Sequence, residues 1–408
     1  LVGVEIGALL QQFDVAVDTR LLALSTTNYG LAAPSLHPDR EASAMAYAVQ
    51  ARDLANHAMK QAADLFPLEG NELEFVNPLD ASGTTVVPFQ LRMPEGAWEG
   101  EAGLLLERTG SPVPIRAFYN STAGGWDVID VYAFIDLPGP SRTRVTWTYD
   151  PGDPVHATGT LTLFDAPPLP SMQAPMTECD GRQTFAQGGT NGVAVDPWGL
   201  QVSRSERWTL PTCSGSTVVN RVVSRIHDFD GIIVDVNARI DDPSDIDQLE
   251  SIALTPFVCP QGIDSMKWRS YAGNERTRDV PAGRQAWNPV TADGWAEFRC
   301  TDGTTLQIAL ESTLRSSMGS FPLRTTGRDG LIAPLGALWG LAPWHDAQAN
   351  EGIGLADLAT PLIGSQFTPS APDWGGAEVR YRLWVTSGSS TESLDLFSHP
   401  AHVRSAQD

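Results

Sequence analysis

Most of the chain alternates apolar and polar residues over short runs that end in glycine, proline or aspartate. In the run RTRVTWTYDPG, Val145, Trp147 and Tyr149 fall at every second position. A period of two places such side chains on one face of a β-strand. Similar runs, among them NGVAVDPWGLQVS and STVVNRVVSRIHDF, continue from about residue 70 onwards. Their spacing is typical of antiparallel sheets, so the pattern predicts a mainly β protein.

The first 69 residues follow a different pattern, which predicts an N-terminal helical segment. Alanines recur there at steps of four and three residues, the a/d spacing of a helix seam. The seam consists of Ala44, Ala48, Ala51, Ala55, Ala58 and Ala62. Alanine favours helix and lets a second helix axis approach to about 8 Å. Two partners remain open for this seam: another part of the same chain, or a neighbouring subunit in self-association.

Changes in the sequence pattern divide the chain into three predicted regions. The helical segment covers residues 1–69, a first β region covers 70–165, and a second β region covers 166–408. The proline-rich stretch DAPPLPSMQAP, which begins at residue 165, forms the joint between the two β regions. A chain of 408 residues is long enough for three such regions.

Three consecutive runs in the first β region resemble the exo-rhamnogalacturonan lyase family. VPFQLRMPEGAW, LLLERTGSPVPIRAFYN and WDVIDVYAFIDLPG look like that family's N-terminal RIFT-type β-barrel, in which a PVP strand precedes a tryptophan-containing strand and an LP-G turn. The later VVSRIHDFDGIIVDVNARIDDPSDIDQLESIAL is similar to the family's central β-sandwich. The resemblance implies a RIFT-like β-barrel over 70–165 and an antiparallel β-sandwich over 166–408.

The resemblance covers the scaffold and carries over no catalytic residue. The tryptophan strand reads Gly124-Gly125-Trp126-Asp127 in place of the family's WPDGS-W form. The α/α toroid that carries catalysis in the family has no counterpart in this sequence. We therefore expect a secreted, non-catalytic protein of extracellular assembly or surface structure, with glycan binding as a further role. The alternative is a polysaccharide lyase-like carbohydrate-active enzyme or its ancillary subunit.

Charge narrows the choice of partners. The formal net charge is -22, and Lys60 and Lys267 are the only lysines. Binding to nucleic acid requires a basic face for phosphate contacts, so nucleic acid is not an expected partner. The sequence has no run of 18 apolar residues, and we expect no membrane span.

The four cysteines predict two disulfides. They show no C-x-x-C spacing and have no histidine at zinc-ligand distance. Each lies beside turn-forming residues, and pairing in sequence order gives Cys179–Cys213 and Cys259–Cys300. Because disulfides persist in oxidising compartments, we expect an extracytoplasmic location. The start at Leu1, without methionine or a basic leader, is expected of a processed mature chain.

An acidic stretch after the run DGIIVDVNARI is a candidate calcium site. Asp241, Asp242, Asp245 and Asp247 supply carboxylate oxygens at close spacing, the ligand type that Ca²⁺ prefers. The order of ligands in an EF-hand loop is absent, and Asp-Asp-Pro-Ser-Asp is also an ordinary turn sequence. We therefore expect no cofactor, with Ca²⁺ as the alternative.

Two further sets of residues are candidates for carbohydrate chemistry. Trp339, Trp344 and Trp374 lie in glycine- and proline-rich sequence, where tryptophan either stacks on a sugar ring or fills a gap beneath a loop. His227, Asp228 and Asp230 lie close together in the sequence and have the side chains of a general acid and base. No nucleophile elbow, metalloprotease motif or phosphate-binding loop accompanies them.

Overall fold

The structure, a computed structural model, describes parts of the N-terminal helical segment and most of both β regions. The described ranges are 11–19 without 13, 46–57 without 48, 52 and 56, 68–150 without 69, 170–179, 182–195, 201–211, 215–240, 249–270, 274–280, 290–311, 321–325, 331–334 and 377–405.

The first β region consists of seven strands, with a 3-10 turn at Glu101–Gly103. The strands are β1 (Glu72–Asn77), β2 (Gly83–Pro94), β3 (Leu104–Arg108), β4 (Ser111–Val113), β5 (Ile115–Ala123), β6 (Trp126–Leu137) and β7 (Ser141–Tyr149). Strands β2, β6 and β7 fall on predicted runs, the run LLLERTGSPVPIRAFYN is divided into β3, β4 and β5, and β1 was not predicted.

The remaining described strands belong to the second β region and the C terminus. They are β8 (Ser171–Met172), β9 (Met176–Cys179), β10 (Arg182–Phe185), β11 (Gln187–Val195), β12 (Gln201–Pro211), β13 (Ser216–Ile226), β14 (Gly231–Ile240), β15 (Leu249–Ala253), β16 (Phe257–Val258), β17 (Ile263–Ser270), β18 (Glu275–Asp279), β19 (Val290–Cys300), β20 (Thr305–Leu310), β21 (Phe321–Thr325), β22 (Leu331–Pro334), β23 (Ala377–Thr386) and β24 (His402–Ser405). A helix at Thr391–Ser398, the C-terminal helix, precedes β24. The prediction of a mainly β fold with antiparallel sheets and helical residues near the N terminus is confirmed.

Strands β2, β6 and β5 form a three-stranded sheet that is covered on both faces. Along β6, Ile129, Val131 and Ala133 lie in one hydrophobic core, whereas Tyr132 and Phe134 lie against another. This alternation is the period of two expected of a strand between two packed layers. The central sheet therefore joins two cores.

The first core lies between the central sheet and a five-stranded sheet in the order β24-β1-β7-β3-β4. Val145 is buried in this core, and Trp147 and Tyr149 pack against it, so the face predicted for these three residues is confirmed. Phe75 of β1 meets Phe89 of β2 edge to face, with ring centroids 5.6 Å apart. The two sheets pack face to face, as in a β-sandwich.

The second core lies between the central sheet and a 13-stranded antiparallel sheet that starts at β11 and β12. Phe118 and Tyr132 enter it from the first β region, and Phe229 and Trp384 enter it from the second. The rings of Trp384 and Phe397 stack at 5.3 Å. The two β regions thus share one buried layer, while their sequence boundary stays a prediction.

The C terminus returns to the first β region, which the sequence pattern did not predict. Ser390 caps the C-terminal helix and accepts a hydrogen bond from the Ser393 backbone N–H at 3.1 Å. This helix packs on the second core through Leu394 and Phe397. Strand β24 then pairs antiparallel with β1 and forms the edge of the five-stranded sheet.

One of the two predicted disulfides lies within the described residues and is confirmed. Cys259 and Cys300 are bonded, with their Cα atoms 5.5 Å apart. The bond joins the turn after β16 to the end of β19. The pair Cys179–Cys213 falls outside the side chains that the structure describes, and it stays a prediction.

Two alanines of the seam lie among the described residues of the N-terminal helical segment. Ala51 is buried and Ala55 is half-buried within the single chain. The other four alanines of the seam lie outside the described residues, so both partners considered for the seam stay predictions. No helix among the described residues is long and apolar enough to cross a membrane.

Candidate functional site

Most of the residues that the sequence singled out as sites lie outside the described ranges. This holds for the tryptophans proposed for sugar stacking and for the aspartates proposed for calcium, namely Trp339, Trp344, Trp374, Asp241, Asp242, Asp245 and Asp247. Within the described ranges, no group of three or more histidine, cysteine, aspartate or glutamate side chains is placed to hold a metal ion. Both assignments stay predictions.

The candidate acid–base residues form part of a charged cluster that joins the two β regions. His227 and Asp228 lie in the turn between β13 and β14, and His227 Nδ1 is 2.8 Å from Asp228 Oδ1. Asp228 also accepts a hydrogen bond from Arg116 of β5. Its backbone φ of 67° lies in the left-handed region, which is uncommon for a residue other than glycine. The exposed Asp230 faces solvent in the same turn.

Arg116 continues this cluster into the first β region. Its Nη1 lies 3.3 Å from Glu101 Oε1, and the buried Glu101 accepts a hydrogen bond from the Ala117 backbone N–H at 2.7 Å. Both oxygens of Asp228 thus have partners, and the cluster ties the β13–β14 turn to β5. His227 Nδ1 lies close to Asp228 but makes no hydrogen bond, so Asp228 does not orient this ring as a carboxylate orients a catalytic histidine. The contacts found for Asp228 are those of a structural ion pair.

A cavity of about 350 Å³ lies between β2 and the residues around β24. Its polar lining includes Gln90, Arg92, Glu311 and His402. It falls at the small end of the range for ligand pockets. Phe89, which packs against the first core, also lines the cavity.

Glu311 is held rigidly at one wall of the cavity. It is only 6% exposed, and its Oε2 accepts from Trp384 Nε1 at 3.2 Å and from Arg382 Nη1 at 3.3 Å. Arg382 Nε donates to Asp235 Oδ1 at 2.8 Å. Burial opposes the charged form of Arg382, but the carboxylates of Asp235 and Glu311 outweigh it and raise the pKa of Arg382. At this wall, two carboxylates thus flank one guanidinium.

The large apolar side chains that are exposed concentrate in two segments. Three belong to the N-terminal helical residues (Val15, Val17 and Val49), and three belong to β10 and β11 (Phe185, Val193 and Val195). Val193 and Val195 are the most exposed of these, at 60% and 58%. Their strand, β11, has the sequence QGGTNGVAV and carries no charged residue. It forms the end of the 13-stranded sheet.

The helical stretch 46–57 lines an open groove of about 660 Å³. Its lining residues follow one helix face at steps of three and four: Ala46, Val49, Gln50, Asp53, Leu54 and His57. This face does not include the buried Ala51.

No family model matches the chain, and no curated protein matches it. The resemblance to the exo-rhamnogalacturonan lyase family therefore rests on the sequence pattern alone.

The sequence pattern does not separate β11 from β12. The run NGVAVDPWGLQVS predicts one strand, whereas in the structure β11 ends at Val195 and β12 begins at Gln201. The Asp-Pro-Trp-Gly within that run is a turn signal that could have separated them. The Glu311–Arg382 pair left no sequence signal, because its members are 71 residues apart.

Proposed function

We propose that the protein is an extracytoplasmic, non-catalytic assembly protein that associates with copies of itself. The observation that carries this proposal is the uncharged, exposed edge strand β11. With a net charge of -22, two copies repel each other over most of their surface. Stable contact requires a surface where apolar groups meet without opposing like charges. Strand β11 combines exposed valines with the absence of charge.

The chemistry of the disulfide supports the proposed location. Cys259 and Cys300 are bonded across two turns, and such bonds persist mainly in oxidising compartments. This supports secretion or display at the cell surface. The groove on the helical stretch 46–57 supplies a second surface through which the assembly can contact a neighbouring subunit.

The native mass of the purified protein tests this proposal. We expect native mass spectrometry at micromolar concentration to show species of at least two chains, each of 43.9 kDa. The same preparation should contain no free thiol at Cys259 or Cys300. A single mass of one chain at every concentration would contradict the assembly function.

A second candidate function is glycan binding, and the cavity beside β24 favours it. Amide, guanidinium, carboxylate and imidazole groups from Gln90, Arg92, Glu311 and His402 line this cavity. Such planar polar groups can exchange hydrogen bonds with the hydroxyls of a sugar. Calorimetry with neutral and acidic oligosaccharides tests the idea, with Gln90→Ala as the variant. Absence of heat with every saccharide would contradict it.

The lyase-like enzyme remains the alternative that the family resemblance implies. Incubation with uronate polysaccharides distinguishes it, because a lyase releases unsaturated products that absorb ultraviolet light. Under our proposal the absorbance stays flat. A rise that is lost with His227→Ala or Asp228→Asn would favour the enzyme.

A further inference from the structure

The side of β11 that faces away from β12 supports a more specific inference. Strand β11 pairs with β12 along its length, from Gln187 opposite Thr209 to Val195 opposite Val202. Within the described part of the chain, β12 is its only strand partner. The backbone N–H and C=O groups on the other side of an edge strand can therefore pair with another strand.

A β-bulge limits the stretch that can pair regularly. Thr190 lies opposite Glu206 and Gly192 lies opposite Ser205, so Asn191 is the extra residue on β11. Bulges interrupt pairing on an edge strand. The four residues 192–195 beyond the bulge remain regular, and they include both exposed valines.

Apart from the bulge at Asn191, the sequence at this edge lacks the features that normally prevent pairing. Edge strands are commonly protected by lysine, proline or inward-pointing charge. None of these occurs in Gln187–Val195. Gly188, whose φ is +136°, lets β11 lie close to β12, because a Cβ there would come within 2.4 Å of the Arg207 carbonyl oxygen. Among the described strands, β11 thus has β12 on one side and no partner on the other.

We infer that β11 pairs antiparallel with β11 of a second copy of this chain, centred on Ala194. This inference rests on the proposed self-association and names the surface that carries it. Residues that lie directly opposite each other in an antiparallel pair point to the same face. If the pair is centred on Ala194, Val193 of each copy lies opposite Val195 of the other copy, which gives two valine pairs. A two-fold axis relates the copies, so the contact closes as a dimer.

A second copy fits this edge better than a charged partner does. A basic protein would be drawn to the acidic surface elsewhere and would gain nothing from an uncharged strand. A copy of the same chain is repelled by that acidic surface and can approach closely only where charge is absent. The two valine pairs then supply apolar contact at the centre of the interface.

Cysteine cross-linking tests the register. Ala194→Cys places two thiols opposite each other across the axis, where opposed Cβ atoms lie about 4.5–5.5 Å apart. We expect mild oxidation of the full chain to give a covalent dimer. Val193→Cys is the matched control, because its nearest copy lies on the diagonal at about 7–8 Å. Equal cross-linking of both variants would overturn the register.

Variants that place charged side chains on β11 test the strand pairing itself. In the variants Val193→Lys/Val195→Lys and Val193→Glu/Val195→Glu, like charges oppose each other, and we expect association to weaken about tenfold or more. Mixing the two variants should restore a dimer with one chain of each. The control Leu105→Lys/Tyr119→Lys adds the same charge at exposed apolar positions outside β11 and should leave association unchanged.

The outcomes separate this inference from the proposed function. A wild-type chain that stays monomeric overturns both. A wild-type chain that assembles while both β11 variants assemble equally well overturns the inference and leaves the assembly function standing. A mixture of the lysine and glutamate variants that stays monomeric also contradicts direct pairing of the two strands.

Discussion

Trp295 donates a hydrogen bond from its indole Nε1 to Asp395 Oδ1 at 2.8 Å, which ties β19 to the C-terminal helix. Trp295 is 1% exposed, and Asp395 also accepts a hydrogen bond from Arg269 of β17. One carboxylate thus serves a buried tryptophan and an arginine on neighbouring strands. Through it, the 13-stranded sheet holds the helix that leads to β24.

Replacing Asp395 should therefore destabilise the fold. Asp395→Ala leaves the buried N–H of Trp295 without this acceptor, and an unsatisfied buried donor costs about 1–3 kcal/mol. Urea unfolding followed by tryptophan fluorescence measures the free energy of unfolding. Glu392→Gln, in the exposed first turn of the same helix, is the control and should cost less than about 1 kcal/mol. Equal losses in the two variants would contradict the role given to Asp395.

A second buried carboxylate makes stability depend on acid pH. Glu206 Oε2 accepts from Arg221 Nε at 2.8 Å, and Arg221 is 2% exposed. Burial opposes ionisation of Glu206, but the charge and hydrogen bonds of Arg221 outweigh it, so the pKa of Glu206 is lowered. The folded state therefore gains stability from this carboxylate above the ordinary glutamate pKa of about 4.3 and loses it as the pH falls.

Glu206→Gln tests this dependence. At pH 7 the variant leaves Arg221 buried without its counter-charge, and we expect it to lose about 3–5 kcal/mol of stability. The difference from the wild-type protein should shrink as the pH falls, because the wild-type carboxylate is then protonated. Free energies of unfolding measured at several pH values should show this convergence. A difference that stays constant down to acid pH would argue against the ion pair as its source.

Tyr132 should make stability depend on alkaline pH. Burial raises the pKa of Tyr132 above its usual value, although the positive charge of Arg382 opposes the shift. The folded state favours the neutral phenol, so its contribution is complete below the unfolded pKa of about 10 and is lost as the pH rises further. Tyr132→Phe should therefore lose less stability than the wild-type protein between pH 9 and about 11. Parallel alkaline melting curves for the two proteins would count against this.

The strands could be predicted from the sequence because their signal is local. Val145, Trp147 and Tyr149 alternate within one run, and the structure places all three at the first core. The C-terminal helix has only eight residues, too few for a clear helical period, although Ser390 and Glu392 give a capping signal. The pairing of β24 with β1 joins residues more than 300 positions apart, and no local pattern records such a contact.

The candidate site could be predicted less well, for the same physical reason. Cys259 and Cys300 were paired correctly because the sequence order of four cysteines suggests few alternatives. The Arg116–Asp228 contact depends on how two sheets pack, and periodicity within either strand does not determine it. The position of β11 at the end of the sheet formed by the described strands is likewise a property of the whole sheet, and no pattern within β11 records it.

Removal of the confirmed disulfide should lower stability without abolishing the fold. Cys259→Ser/Cys300→Ser opens a loop with a sequence separation of 41 residues. In the chain-entropy account, closing a loop of this length stabilises by about 4 kcal/mol. Thermal unfolding of the variant should show a lower midpoint, and non-reducing peptide mapping of the wild-type protein should also show the predicted Cys179–Cys213 pair. A variant that unfolds at the wild-type midpoint would contradict this estimate.

Sedimentation equilibrium of the wild-type chain beside Val193→Lys/Val195→Lys measures the proposed self-association through β11. We predict that the wild-type protein sediments as a dimer of 43.9 kDa chains that dissociates on dilution. The lysine variant should sediment as a single chain at the same concentrations while its thermal melting stays unchanged. A wild-type protein that sediments as one chain throughout, or a variant that keeps the wild-type dimer, would contradict the account.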